Sequence, residues 1–241
     1  MAAGPSGSGL RVGDTMSTER FPAHYSVLIS GPSGVGKLDY MLRLGKQFLD
    51  AGERIVFVTL DLHPDEVRTY AESVGIDRSS VEGSRFVFVD CYSANATDRM
   101  DAPVLRKVFS VSSFSNLEGI GMAINKAAQE AKTPVRILFY IASTLFLHNS
   151  PQAIAKFVQI ITSRVKTSIG FIAYAMHEGV HDVQTTSLLR SLVDGVIEIR
   201  FRDDMTREIR FHHMRGLKFT PGWTSVEEEL LVSVAGGGPV G

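Results

Sequence analysis

Ser26-Val27-Leu28-Ile29-Ser30-Gly31-Pro32-Ser33-Gly34-Val35-Gly36-Lys37-Leu38 is the stretch on which the fold turns. It reads as a β-strand, a glycine-rich turn and the start of a helix. Gly31, Gly36 and Lys37 fall at the spacing G-x-x-x-x-G-K-[S/T] of a phosphate-binding loop. Such a loop works because N–H groups of a tight turn and of a helix N-terminus have no partner of their own and converge on an anion. Gly31, Gly34 and Gly36 let the chain curl without Cβ clashes, and Lys37 is placed to neutralise the outer phosphates. The expected nucleotide-binding set is Gly31, Pro32, Ser33, Gly34, Val35, Gly36, Lys37, Leu38 and Asp39.

The last motif position departs from the pattern. Leu38 stands where a hydroxyl would hold Mg²⁺, so the loop points to nucleotide binding and away from metal-assisted hydrolysis. Asp39 is adjacent, but a helix turns about 100° per residue, which aims its carboxylate elsewhere. Ser33 offers a hydroxyl from within the loop.

Outward from the loop, strand and helix patterns alternate. Tyr25–Ser30 is a strand, and Lys37–Asp50 has apolar residues at helical spacing with Gly52 as a stop. Arg54–Leu60 is a β-branched and aromatic run of the kind covered on both faces. A helix over Pro64–Ser73, a strand over Arg85–Cys91, a helix from Leu117 to Lys132 capped by Asn116, and a strand over Val135–Ala142 follow. Then come a helix over Pro151–Lys166, a strand over Ser168–Ala175, a helix over Thr185–Val193, and strands over Gly195–Arg202, Arg207–Met214 and Ser225–Val232. Ser93–Ser115 is polar and irregular, with one short helix expected around Pro103–Phe109. The fold class is α/β: a mainly parallel sheet, helices on both faces, and a C-terminal antiparallel hairpin. Right-handed crossovers put the loop at the carboxyl edge, where α/β ligands bind.

The 241 residues, 44% hydrophobic and 21% charged, suit one domain. It is expected over residues 21–233, between a small-residue leader (1–20) and a flexible tail (234–241), with Met16 as an alternative start. A net charge of −1 gives no nucleic-acid footprint. The local exception is the 93–115 loop, with Arg99, Arg106 and Lys107 near Tyr92, Phe109 and Phe114. Cys91 is the single cysteine, which points to a reducing, cytoplasmic compartment and reads as a small buried residue at a strand end. The longest apolar run, Ile137–Leu147, falls short of the roughly 20 residues of a membrane span.

Hydrolysis by this class relies on two further elements, a strand-end carboxylate and a base for the attacking water. The strand Arg136–Ser143 carries no acidic residue, and Tyr140 occupies the position where a metal-binding aspartate is expected. Asp61, after the second strand, either orients a water or caps the helix at Pro64, and His63 is open to both roles. His177 and His181 flank Glu178 and Asp182; these are ligand types that suit Zn²⁺, and equally a polar loop at the sheet edge, which is the favoured reading. No metal ligand is assigned. His212 and His213 alternate across a strand and so face opposite ways.

Four stretches in order resemble the KaiC-like branch of the RecA superfamily of ATPases: the loop, Gly52–Glu66, Leu189–Ile199 (similar to L-x-x-L-x-D-G-V-I-x-L), and Met214-Arg215-Gly216 with Trp223 after it. The resemblance runs from about Tyr25 to Val232. It implies ATP bound between subunits of an oligomer, with Arg215 and Lys218 facing a neighbour's phosphates. The departures fall together. Leu38 replaces the metal-binding hydroxyl and Tyr140 the strand-end aspartate. Asp61 stands for the first of the family's paired glutamates and Leu62 for the second, and His213 takes the lysine position before M-R-G. The pattern is that of a degenerate member: an ATP-binding regulatory protein, acting as a homo-oligomer or as partner to an active relative, with weak or absent hydrolysis. The alternatives are an active ATPase with a rewired metal site using Asp61 with Ser33 or Asp39, and a structural interaction protein without ligand. The loop wording also resembles guanylate kinases, but no arginine-rich GMP segment accompanies it.

Overall fold

The computed structural model describes residues 21–93, 108–131, 134–219 and 221–227. In chain order the elements are β1 (Tyr25–Gly31), α1 (Lys37–Asp50), β2 (Arg54–Thr59), α2 (Pro64–Ser73), α3 (Arg78–Val81), β3 (Phe86–Asp90), β4 (Val108–Ser110) and α4 (Leu117–Gln129). Next come β5 (Val135–Tyr140), a 3₁₀ segment over Ala142–Leu147, α5 (Pro151–Arg164), a π-type turn over Val165–Ile169, β6 (Gly170–His177), α6 (Val183–Leu192), β7 (Gly195–Phe201), β8 (Arg207–Met214) and β9 (Thr224–Ser225).

Among the described residues the strands form one nine-stranded sheet in the order β4-β3-β2-β5-β6-β1-β7-β8-β9. All pairings from β4 to β7 are parallel, and β8 and β9 close the far edge antiparallel. The central strands are apolar on both faces, and each face has its own core. Ile55 and Phe57 of β2 join Met41, Leu42 and Phe48 of α1 on one side. Val56 and Val58 join Ile120 of α4 and Ile154 and Ile161 of α5 on the other. Period-two alternation along one strand thus feeds two layers of helices.

Helix starts follow local chemistry. Asn116, Ser150 and Asp182 each accept a backbone N–H of the helix that follows. At α2 the cap is His63: its ring accepts from Asp65 N, while Glu66 reaches back to the His63 N–H. That corrects the cap reading of Asp61 and gives His63 a structural role.

Other expectations shift at their edges. Val108 and Phe109, expected in a short helix, pair with Phe88 and Val89 as strand β4; residues 94–107, with Arg99, Arg106 and Lys107 and the rest of that helix, lie outside the described residues. So do the leader, Lys132 and the strand beyond Glu227. β5 stops at Tyr140 rather than Ala142, and β6 runs on to His177, pairing with Gly31 of β1, while the Ser143 hydroxyl accepts the His177 N–H at 2.9 Å. A register shift between Val196 and Ile197 leaves His212 without a cross-strand partner, so strict alternation fails there and both His212 and His213 are exposed. No helix among the described residues is long and apolar enough to cross a membrane.

Candidate functional site

The glycine-rich loop sits between the end of β1 and the start of α1, at the carboxyl edge of the parallel strands. Gly31 is required by close approach: a Cβ there would collide with the Ile199 carbonyl of β7. Gly36 is required by conformation, since it holds φ 88° as the residue before α1. Val35 is fully buried and anchors the loop to the core, whereas Ser33 is exposed. The first helical bond of α1 runs from Tyr40 N to Gly36 O at 3.0 Å. The N–H groups of Lys37, Leu38 and Asp39 therefore have no helical acceptor and are available to an anion.

Lys37 is 3% exposed. Its Nζ donates to the carbonyls of Gly31 at 2.8 Å and Pro32 at 2.6 Å, so the loop closes on its own cation. Burial pulls its pKa down to about 8, and the charges of Glu178 and Asp61 oppose that fall. Glu178 is tied to the same place, because its N–H donates to Gly31 O at 2.9 Å.

Asp61 is positioned by its neighbours. Leu60 N donates to the Tyr140 carbonyl at 3.0 Å, and the Thr59 hydroxyl donates to Leu62 O at 2.6 Å. Burial pushes the Asp61 carboxyl up to about 6; its own backbone N–H pulls back, Glu66 adds to the rise, and Lys37 opposes it. Asp61 Oδ1 is a buried acceptor with no hydrogen-bond partner among the described residues.

Tyr140 ends β5 in register with Thr59 of β2. Its ring lies 6.4 Å from that of Phe57, and burial holds its hydroxyl well above the usual range, with Asp61 adding to the effect. Leu38 is 8% exposed and belongs to the core beneath α1. Neither side chain has an oxygen that coordinates a divalent cation in its ordinary state, so the positions that would serve Mg²⁺ do not fit it.

The remaining sequence candidates separate. Asp39 bonds Arg43 at 2.9 Å and Arg207 at 3.2 Å. His181 meets the Ser143 hydroxyl at 3.0 Å and lies 4.1 Å from the Phe146 ring, while Asp182 caps α6. No group of three His, Cys, Asp or Glu side chains among the described residues is arranged to hold a metal. Arg215 bonds the buried Asp194 at 3.0 Å, which also meets Lys166 at 2.7 Å and the Ser26 hydroxyl at 2.8 Å; Lys218 is exposed. Cys91 is fully buried and its thiol is pushed up to about 12 by burial and by Asp90. Tyr92, Phe109 and Phe114 face His63, Lys126 and His148 of the same chain.

Arg207 is the residue that pattern reading missed. It lies 168 positions from Asp39, and only the hairpin register of β7 and β8 carries it to the loop. No local signal marks it.

Over residues 26–199 the sequence matches a family described as a family of unknown function, DUF7504. The chain belongs to DUF7504. This DUF7504 chain is also 29% identical over 157 residues to the UPF0273 protein SSO1861 of Saccharolobus solfataricus, covering 63% of this chain and 52% of that protein. It thus spans about half the length of that relative. The structure aligns with a KaiC-like protein, PH0186, of Pyrococcus horikoshii, with TM-score 0.65 and 16% identity over 89% of this chain and 92% of that one. The fold of this DUF7504 member is therefore the KaiC-like RecA fold, as the four sequence stretches implied.

Proposed function

We propose that this chain is an ATP-binding protein of KaiC-like RecA fold that acts as a regulatory or partner subunit and hydrolyses weakly or not at all. One observation carries the reading. The three free N–H groups at the start of α1, the αL Gly36 and the buried Lys37 remain assembled at the carboxyl edge, while the two positions that would bind Mg²⁺ hold Leu38 and Tyr140. The cradle for phosphate is kept and the metal ligands are gone. Arg215 and Lys218 are proposed to face a neighbouring subunit, either a second copy or an active relative. The single buried cysteine suits a cytoplasmic setting.

Phosphate release from ATP by the purified chain tests the hydrolysis half of the proposal. The expected rate equals that of Lys37→Ala.

A second reading has support from Asp61. A buried carboxylate with an unpartnered oxygen and a pKa near 6, close to Lys37, has the properties of a water-activating base. Turnover abolished by both Lys37→Ala and Asp61→Asn would favour it.

A further inference from the structure

Arg207 opens β8 and lays its guanidinium on the backbone of Gly36, so closely that a Cβ on that glycine would collide with Nη1. Nη1 donates to Asp39 at 3.2 Å, and Nη2 and Nε donate to Glu227 at 2.6 and 3.0 Å. An anion seated on the free N–H groups of Lys37, Leu38 and Asp39 would share the first turn of α1 with the Asp39 carboxylate. Asp39 alone would repel it.

The charge balance sharpens the point. A nucleoside triphosphate brings several negative charges, which P-loop enzymes offset with a metal ion as well as a lysine. Leu38 and Tyr140 provide no metal ligand, and Lys37 supplies one positive charge amid Asp61 and Glu178. Arg207 is the cation already in contact with the loop. Its planar fork matches phosphate oxygens as well as it matches carboxylates.

Its present partners can release it without being stranded. Asp39 keeps Arg43 at 2.9 Å, and Glu227 keeps the Ser225 hydroxyl at 3.1 Å.

We infer that Arg207 is a phosphate ligand of the nucleotide site, turning from Asp39 and Glu227 onto the phosphates of a bound nucleoside di- or triphosphate and supplying charge that a metal would otherwise bring. This rests on the nucleotide-binding reading above. Binding would also loosen the tie between α1 and the segment at Ser225–Glu227.

The test is calorimetric titration of ATP in EDTA into the full chain and its Arg207→Gln, Arg207→Lys, Glu227→Gln and Lys37→Ala variants. Arg207→Gln is expected to weaken ATP about tenfold, and Arg207→Lys to fall between it and wild type. An Arg207→Gln affinity within about twofold of wild type, alongside loss of binding in Lys37→Ala, overturns the role of Arg207 and leaves nucleotide binding standing. Failure of the wild-type chain to bind ATP removes both. Should Arg207→Gln unfold, as read by circular dichroism, Glu227→Gln decides: freeing Arg207 is expected to tighten ATP about threefold, and unchanged or weaker affinity overturns the proposal.

Discussion

Lys37 Nζ donates to the carbonyl of Gly31 at 2.8 Å, so the cation of the loop is held by the loop's own first residue. The free loop is thereby kept closed around a buried charge, and a phosphate must draw Lys37 away from Gly31 and Pro32. Lys37→Ala is expected to abolish ATP binding and also to lower stability by about 1–2 kcal/mol, since the Pro32 carbonyl loses its donor while the Gly31 carbonyl keeps the Glu178 N–H. Because the free Lys37 loses its proton near pH 8, ATP affinity should be level at neutral pH and weaken as pH rises through about 8. Titrations across that range check both points; affinity indifferent to pH contradicts the role of Lys37.

Asp61 gives a pH signature of its own. Its folded pKa of about 6 stands above the ordinary 3.8. Between those values the folded chain holds a proton that the unfolded chain has released, so the carboxyl's contribution to stability is present below 3.8 and lost as pH rises through about 6. Asp61→Asn is expected to exceed wild type in stability at neutral pH, with the gap closing as pH falls across that window. Urea unfolding at a series of pH values reads this directly, and parallel curves for the two proteins contradict it.

Placing metal-ligating side chains at positions 38 and 140 should carry a cost. Leu38 is packed in the core beneath α1, and Tyr140 sits beside Phe57 and Asp61. Leu38→Thr is expected to cost about 2–3 kcal/mol through lost packing and a buried hydroxyl. Tyr140→Asp places a second carboxylate beside Asp61, where both resist ionising together. The double variant is expected to gain a Mg²⁺-dependent rise in melting temperature in the presence of ATP that the wild-type chain lacks. Equal Mg²⁺ responses in the two proteins contradict this account of what was lost.

Arg215 and Asp194 separate assembly from stability. Asp194 is buried and keeps Lys166 and Ser26 when Arg215 is removed. Arg215→Ala should therefore cost under about 1 kcal/mol, as exposed pairs do, and Asp194→Ala about 3 kcal/mol, because it breaks a buried network. If Arg215 faces a neighbour, its alanine variant lowers solution mass in the presence of ATP while melting almost as wild type. Unchanged mass contradicts the subunit-contact role.

The fold was legible because its signals are local. A glycine loop between a strand and a helix, two-faced apolar strands and caps such as Asn116 are read within a few residues of one another, and α1 and α2 begin and end where the pattern puts them. Strand ends were less legible, since β6 reaches His177 by pairing with Ser30 and Gly31 of β1, far away in the sequence. The candidate site divides the same way. Loop and strand ends single out Lys37, Leu38, Asp61 and Tyr140 in the sequence. Arg207 has no such mark, because a pairing between β7 and β8 brings it to Gly36, and no short-range pattern encodes a long-range contact.

The central claim is that nucleotide binding has outlived metal binding. The most direct measurement is an equilibrium titration of ATP with EDTA and with excess Mg²⁺. Saturable binding with a Kd that differs by less than about threefold between the two conditions, and that disappears in Lys37→Ala, is the predicted result. Binding that appears only with Mg²⁺, or none at millimolar ATP, would contradict it.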